Sequence, residues 1–361
     1  MTVLESVHDA HGATFCDHGG RRVVAEYGRP ERAHRAVRKG VGTIELGYGV
    51  VVSEGEDRVD FVDNAVSNRV PTTDGTGCYA LLLTPQGRVE TELYVYNAGE
   101  RLLLFTPPEK AKPLVEDWQE KTFIQDVDFR VATDDFAVFG VHGPRSTEKV
   151  ASVLHGVTVP EKPLTFVRGE LGDTGATIIA SDNLAGEEGY EVICAADDAE
   201  DAFDTLINRG LNATPFGYRT WETLTLEAGT PLFETEIDGT IPNELGLRIA
   251  LDFEKGCYVG QEVVSRIENR GQPGKRLVGL LPEGVPDDGA AVHIGDSHVG
   301  EVTRAAESPM LERPIALAMV DFALGEEKLS VRVDGEDVPA TRADLPFVDG
   351  SARSARLPTY E

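Results

Sequence analysis

Apolar and polar positions over the first 270 residues or so follow patterns typical of strands and of helices. Short runs of β-branched, aromatic and leucine residues predict strands at residues 77–83, 101–105, 136–141, 176–180 and 190–194. Stretches with apolar side chains on one face predict helices that start after residue 106 and cover residues 146–156, 197–210 and 216–227. Because these elements do not follow a strict βαβ order, the pattern favours an α+β fold over a doubly wound sheet.

The pattern changes after the RGQPG segment at residues 270–274. Residues 276–349 hold short β-rich runs separated by Asp-Gly turn pairs, with little helix, which is typical of a small β-barrel. We therefore predict a mixed α/β region over residues 1–274, a barrel over residues 275–349 and a polar tail over residues 350–361.

The chain combines an ordinary apolar content of 41% with a formal net charge of −28. A chain this acidic repels a phosphate backbone, so we expect no nucleic-acid binding, while the apolar content argues against disorder. Nine lysines among the 34 basic residues leave 25 arginines. Acidic, lysine-poor globular chains are typical of adaptation to high salt, which screens self-repulsion. We therefore expect a halophilic source.

Other features of the sequence predict a soluble, cytoplasmic protein. No run of about 18 apolar residues indicates a membrane span, and the acidic N-terminus does not have the pattern of a secretory signal. The four cysteines lie far apart, which argues against disulfides and against a cluster site made by local spacing. The polar group near the N-terminus matches no zinc pattern, so we predict no metal site from its members, His8, His11, Cys16, Asp17 and His18.

The segment KGCYVGQE at residues 255–262 carries the most distinctive chemistry. Gly256 and Gly260 allow backbone conformations that other residues resist. Cys257 has Lys255 and Arg266 near it in sequence, and nearby cations make a thiol more reactive. The residue types alone slightly favour the alternative of a glycine-bounded turn with a buried, inert cysteine.

This octapeptide resembles the signature of the YgfZ family, folate-binding relatives of the aminomethyltransferase (T-protein, GcvT) of glycine cleavage. Looser similarity to the same superfamily extends over nearly the whole chain, through the blocks at residues 34–38, 142–144, 186–191, 224–229 and 299–303. The resemblance implies a GcvT-like fold of two intertwined mixed α/β subdomains followed by a small C-terminal β-barrel.

The resemblance also implies a tetrahydrofolate site. Glu191 aligns with the family's pterin-binding glutamate, and one carboxylate can accept both adjacent N–H donors of a pterin edge. From the octapeptide and its continuation we expect Lys255, Tyr258, Gln261 and Arg266 to contact the cofactor. Cations are expected to hold the anionic folate tail, and the candidates are Arg219, Arg266, Arg270, Lys275 and Arg276.

Some positions depart from the T-protein pattern. The family block that carries a paired aspartate is replaced here by QGRVETE at residues 86–92. Glu90 and Glu92 are the nearest carboxylates, and on a regular strand they would share one face. We take Glu92 as the candidate catalytic carboxylate. Leu184 and Thr225 replace a family tyrosine and arginine, which weakens the case for aminomethyl transfer and leaves folate binding in place.

Three functions follow as hypotheses. The first is a YgfZ-like tetrahydrofolate-binding protein that supports iron–sulfur cluster assembly or repair, with Cys257 as the working thiol and iron–sulfur client proteins as partners. The alternative is a folate-dependent aminomethyltransferase or demethylase of the GcvT type. The third is a non-catalytic scaffold with the same fold, which would not bind folate.

Overall fold

The computed structural model describes residues 2–325 and 328–360, with Arg270 described by its backbone alone. Two sheets, a closed barrel and a short hairpin make up the strands, with helices between them. In the described residues there are eight α-helices: α1 (Glu5–Ala10), α2 (Pro30–Lys39), α3 (Arg58–Ala65), α4 (Pro108–Lys121), α5 (Ser146–Val153), α6 (Ala199–Asn208), α7 (Tyr218–Glu227) and α8 (Gln261–Arg270). The hairpin is formed by β1 (Thr14–His18) and β2 (Arg21–Glu26).

The first large sheet has seven strands in the order β10-β11-β12-β13-β9-β3-β14. Its strands are β3 (Gly42–Glu45), β9 (Phe136–His142), β10 (Leu154–His155), β11 (Phe166–Leu171), β12 (Thr174–Ala180), β13 (Gly189–Ala195) and β14 (Thr214–Pro215). Neighbours pair antiparallel except β14, which runs parallel to β3. Helices α5 and α6 pack on one face, where Val150 and Phe203 meet Phe139 in a common core.

The second sheet has five antiparallel strands in the order β5-β6-β7-β4-β8. Its strands are β4 (Gly49–Glu54), β5 (Thr76–Leu83), β6 (Val89–Asn97), β7 (Arg101–Thr106) and β8 (Asp128–Val131). Its outer face is covered by α3 and α4, with Trp118 buried against Phe129. Since β3 is followed directly by β4 and β8 by β9, the chain passes between the two sheets twice, which makes the two subdomains intertwined.

The inner faces of the two sheets share one core. Ile44 and Ile193 from the seven-stranded sheet and Tyr79 and Phe105 from the five-stranded sheet belong to the same buried cluster. Burial of apolar area of this kind is the main stabilising term of such a fold. The shared core fixes the two sheets relative to each other and therefore fixes any side chains that project from their facing sides.

The C-terminal barrel closes in the order β15-β18-β17-β16-β19-β20. Its strands are β15 (Lys275–Pro282), β16 (Ala291–Ile294), β17 (Ser297–Ser308), β18 (Arg313–Asp321), β19 (Leu329–Val333) and β20 (Glu336–Ala343). The barrel has its own apolar interior, which includes Leu280 and Val331. It also packs on α7, where Arg304 donates hydrogen bonds to the Thr225 hydroxyl and the Thr230 carbonyl.

The polar segment after the barrel runs back over the N-terminal region. The backbone amide of Ala355 donates to the Asp182 carbonyl, and that of Thr359 donates to the Gly246 carbonyl. The Ser351 hydroxyl donates to the buried Glu187 carboxylate. The tail expected at residues 350–361 is thus seated on the protein over its described length, and it carries Arg356 into the interior.

The elements agree with most of the pattern read from the sequence, and the differences lie at their ends. All five predicted strands are present, extended by one or two residues. The helix predicted over residues 146–156 ends at Val153, because Leu154 and His155 pair with β11. The helix predicted from residue 216 starts at Tyr218. Among the described residues, no helix is long and apolar enough to cross a membrane.

Candidate functional site

A cavity of about 440 Å³ lies where the two sheets, α7 and the barrel meet. Aromatic side chains form much of its wall, with Tyr48 from the connection between β3 and β4, Tyr218 and Trp221 from α7, and Phe233 from the following turn. Glu92 and Arg356 supply charged groups to the same wall. An apolar cavity with a few converging polar groups is typical of a small-molecule site.

Glu92 is buried within this wall. Its Oε2 accepts hydrogen bonds from the Tyr79 hydroxyl at 2.6 Å and from Arg356 Nη1 at 2.7 Å. Burial raises the pKa of Glu92, while the Arg356 cation and the Tyr79 hydrogen bond oppose the rise. A carboxylate with this environment can hold or release a proton inside the cavity.

Glu90 does not share the face of Glu92, contrary to the alternation expected on β6. The register slips between Leu82 and Leu83, which pair with Thr91 and Val89. Glu90 is therefore the extra residue of a β-bulge, which reverses the direction of the side chains on one side of it. The structure leaves Glu90 exposed and directs Glu92 inward.

Arg356 comes from the C-terminal tail and is 2% exposed. Beside its bond to Glu92, it donates from Nη2 to the Tyr94 hydroxyl at 2.5 Å, and its Nε lies 3.4 Å from Asp182 Oδ2. Its guanidinium stacks 4.1 Å from the Tyr79 ring centre. The two carboxylates keep the pKa of Arg356 high in spite of burial, so this group stays charged and links Glu92 to Asp182.

Glu191 lies on β13 beside the same network, with 6% of its surface exposed. The hydroxyl of Tyr48, which lines the cavity, donates to Glu191 Oε1 at 3.0 Å. Burial and the nearby Asp182 charge raise the pKa of Glu191 to about 7, against the hydrogen bond from Tyr48 and the Arg356 cation. The structure thus places Glu92 in the cavity wall and Glu191 behind Tyr48, one hydrogen bond away from that wall and not among its lining residues.

The predicted residues of the octapeptide lie elsewhere, and none lines the central cavity. Lys255 is buried, and its Nζ donates to the Asn68 carbonyl at 2.7 Å and lies 3.1 Å from Asp63. Gln261 Nε2 donates to the Lys255 carbonyl at 2.9 Å. These bonds hold the loop in place, and the cofactor contact expected of both side chains stays a prediction.

The other three residues of that prediction divide between core and surface. Tyr258 is 5% exposed and packs in the core shared by the sheets. Cys257 is exposed on the turn that precedes α8, and Arg266 is exposed on α8 itself. A solvent-exposed position for Cys257 removes the alternative of a buried cysteine that the residue types alone favoured.

The mouth of the cavity is acidic. Asp17, Glu222, Glu234 and Asp288 line it, and His18 lies 3.2 Å from Glu234. Of the cations considered for a folate tail, the four whose side chains the structure describes do not line the cavity. Arg219 pairs with Glu26, Arg266 and Lys275 are exposed, and Arg276 donates to the Leu324 carbonyl. The prediction for Arg270 lies outside the described side chains.

Comparisons with known proteins follow the same division of the chain. The family model of the GCVT N-terminal domain matches residues 4–255, and that of the glycine cleavage T-protein C-terminal barrel domain matches residues 275–349. The chain belongs to the glycine cleavage T-protein family. The aminomethyltransferase of Streptomyces coelicolor is 31% identical to this chain over 360 residues, and the alignment covers 96% of both proteins. That of Cutibacterium acnes is 32% identical, covering 96% of this chain and 97% of its own.

A solved structure extends the T-protein comparison to the fold. Aminomethyltransferase T of the Bartonella henselae glycine cleavage system superposes with a TM-score of 0.86 over 98% of both chains, at 21% identity. This likeness confirms the expected α+β fold with a C-terminal barrel. Both relatives are named aminomethyltransferases and both family models match, so the GcvT part of the expected resemblance is confirmed. The narrower YgfZ assignment and the halophilic source stay predictions.

Sequence reasoning missed the residues that form the hydrogen-bonded network around Glu92 in this T-protein-family chain. Asp182 and Tyr94 are unremarkable in the sequence, and Arg356 stands in a segment that we took only as a polar tail. One signal in that segment indicates that it packs on the protein, namely its apolar and aromatic residues Leu357, Pro358 and Tyr360. Solvated, disordered segments are poor in such residues. Tyr360 indeed donates from its hydroxyl to the Glu244 carbonyl at 2.8 Å.

Proposed function

We propose that this chain binds tetrahydrofolate in the central cavity and transfers a one-carbon unit to it from an aminomethyl donor. The observation that carries the proposal is the placement of Glu92 in the wall of an aromatic-lined cavity, with Glu191 hydrogen-bonded to Tyr48 of the same wall. Membership of the T-protein family and the names of the relatives support it. Of the functions considered from the sequence, the GcvT-type transferase has better support than the YgfZ reading.

The residues fit a folate in their chemistry. A pterin edge offers adjacent N–H donors, which one ionised carboxylate such as Glu191 can accept in a bidentate pair. The aromatic walls suit a flat, apolar ring system. Tyr48 donates to Glu191 Oε1, so it orients that carboxylate beside the cavity. We assign Glu191 to pterin recognition and Tyr48 to its orientation.

Glu92 is the candidate for proton transfer. Bound tetrahydrofolate would supply the two nitrogen atoms that bind the methylene carbon, and the two protons they lose would leave with the donor's amino group, as ammonia, and with the donor's carrier atom. The carboxylate of Glu92 receives a proton released in the cavity, with its Oε2 held by Tyr79 and Arg356. Burial raises the pKa of Glu92, which suits a proton acceptor, while the Arg356 cation limits the rise and fixes the carboxylate in position. General base catalysis by a positioned side chain contributes typically about 10²–10⁴-fold in rate.

Formation of methylene-tetrahydrofolate from aminomethyl donors tests this function directly. We expect turnover by the wild-type protein and a loss of about hundredfold or more in Glu92→Gln, which keeps the shape of the side chain and removes its basicity. Glu90→Gln is the matched control, because Glu90 is exposed on the same strand, and it should keep full activity. No turnover with any aminomethyl donor, in a preparation that binds folate, would exclude the transferase.

One specific observation supports a second function, a role in iron–sulfur cluster assembly or repair. Cys257 is exposed on a turn bounded by Gly256 and Gly260, as a working thiol in iron–sulfur cluster assembly or repair requires. In cells that lack the native protein, Cys257→Ala should then fail to restore iron–sulfur enzyme activities, whereas Cys16→Ala, at the other exposed cysteine, should restore them. Equal restoration by both variants would remove this function.

A further inference from the structure

The segment from residue 29 to residue 39 is basic in a strongly acidic chain. It holds five of the 34 lysines and arginines, namely Arg29, Arg32, Arg35, Arg38 and Lys39, against one acidic residue, Glu31. The chain as a whole has a net charge of −28. Proline at the first helical position starts α2 directly after Arg29, so these side chains are displayed on one helix.

Two of the five cations are used within the protein. Arg38 is buried and bonds to Glu227 and Glu187. Arg35 is half-exposed and lies 3.5 Å from Glu312. Arg29, Arg32 and Lys39 are exposed, and they form no ion pair with any residue that the structure describes. Their charge is therefore presented to solvent.

Two of these three cations line a groove. Arg29 and Arg32 line a depression of about 500 Å³ between α2 and the segment at residues 214–220. Ala33 and Ala36 of α2 also line it. They are three residues apart, a spacing that places side chains on one helix face. Lys39 follows Arg32 by seven residues, two helical turns, and extends the same basic edge.

Apolar groups form the opposite wall of the depression, with Pro215 and Phe216 among its lining residues. Pro215 belongs to β14, an edge strand of the seven-stranded sheet. We call this surface the α2 groove, and it consists of residues 214–217 with Arg29, Arg32, Ala33, Ala36 and Lys39. It thus combines a basic edge with an apolar wall.

We propose that the α2 groove binds an acidic peptide segment of a partner protein that also carries apolar side chains. Carboxylates of such a segment would meet Arg29, Arg32 and Lys39, and apolar side chains would lie against Ala33, Ala36 and Pro215. At 0.1 M salt, charges more than about 10 Å apart are largely screened from each other. A short acidic segment in the groove is therefore attracted by these nearby cations and is little affected by the acidic surface farther away. A long phosphate backbone would meet the acidic surface on either side and be repelled.

Fluorescence anisotropy with a labelled eight-residue peptide of alternating glutamate and leucine tests this inference. Wild-type protein should bind it, more weakly as salt rises. The variant Arg29→Glu/Arg32→Glu/Lys39→Glu should bind about tenfold more weakly or worse, because three weak surface attractions become repulsions. The matched control Arg101→Glu/Lys162→Glu/Arg342→Glu reverses three exposed cations elsewhere and should bind like wild type.

Several results would overturn the inference: no peptide binding by wild type, equal binding by the groove variant, or an equal loss in the control. A glutamine–leucine peptide that binds as well as the glutamate peptide would remove its charge basis. An eight-nucleotide RNA that binds more tightly than the peptide, and only with the groove intact, would make this a nucleic-acid surface instead. The thermal unfolding midpoint and folate binding of each variant are measured in parallel, because both should equal wild type and are independent of this inference.

Discussion

Arg356 and Glu92 are separated by 264 positions in the chain and are joined by a 2.7 Å hydrogen bond between Nη1 and Oε2 inside the protein. The contact exists because the segment after the barrel returns to the N-terminal sheets. It makes the C-terminal tail part of the candidate site. In a buried network of this kind, removal of one partner leaves the other charges without compensation.

Replacement of Arg356 by methionine should therefore damage both stability and activity. We expect the free energy of unfolding to fall by about 3–5 kcal/mol, the typical effect of breaking a buried ion pair. The pKa of Glu92 should rise further, because the cation that opposes its rise is gone. Chemical denaturation measures the first effect and the pH dependence of turnover the second. Arg353→Met, at a 72% exposed side chain of the same tail, should change neither.

Folate binding should depend on pH through Glu191, whose pKa lies at about 7. If the ionised carboxylate accepts the pterin N–H groups, affinity should be about tenfold lower at pH 6 than at pH 8. Glu191→Gln should bind weakly at both values and lose this dependence. Equal affinities of the wild-type protein at pH 6 and pH 8 in calorimetry would contradict the assignment.

The same group should affect stability with a defined sign. Its pKa rises from 4.5 to about 7 on folding, so the folded state binds more protons than the unfolded state between these values. The stabilisation from protonated Glu191 is complete below pH 4.5 and is lost as pH rises through 7. Relative to Glu191→Gln, the wild type should therefore lose free energy of unfolding across that window. If the difference in free energy of unfolding between the two proteins stays constant from pH 4.5 to pH 7, Glu191 does not titrate in that range.

Tyr48→Phe removes the hydrogen bond that lowers the pKa of Glu191. The midpoint of the pH dependence of folate binding should move to higher pH, while affinity well above it should change little. Calorimetric titrations at several pH values would show the shift. A reduced affinity at every pH with an unchanged midpoint would mean that Tyr48 contacts the ligand and does not act through Glu191.

The octapeptide contains a glycine that the fold requires and one that it does not. Gly260 has φ +81°, and a Cβ there would meet the Thr84 carbonyl oxygen at 2.6 Å. Gly260→Ala should cost about 2 kcal/mol or more, because strain and contact add together. At Gly256 a Cβ would meet nothing within 4 Å, so Gly256→Ala should lie within about 0.5 kcal/mol of wild type. Urea unfolding of the two variants compares them, and equal stabilities would contradict the described turn.

Much of the fold could be predicted from the sequence, because its signals are local. The five predicted strands carry β-branched and aromatic residues in continuous runs, and the octapeptide with its neighbouring blocks indicates the superfamily. The candidate site depends on contacts that no local pattern encodes. A bulge at Glu90 broke the alternation that would have placed it beside Glu92. In the octapeptide, Lys255 donates to the Asn68 carbonyl of a distant segment and Gln261 donates to the Lys255 carbonyl.

Calorimetry with tetrahydrofolate at pH 8, on wild type and Glu191→Gln, tests the central claim most directly. We predict one binding site per chain in the wild-type protein and a loss of about tenfold or more in the variant, since the second carboxylate oxygen is replaced by an NH2 group that cannot accept a pterin N–H. Absence of binding in the folded wild-type protein would contradict the account and leave a scaffold with the T-protein fold. Equal binding by the two proteins would place the folate away from Glu191.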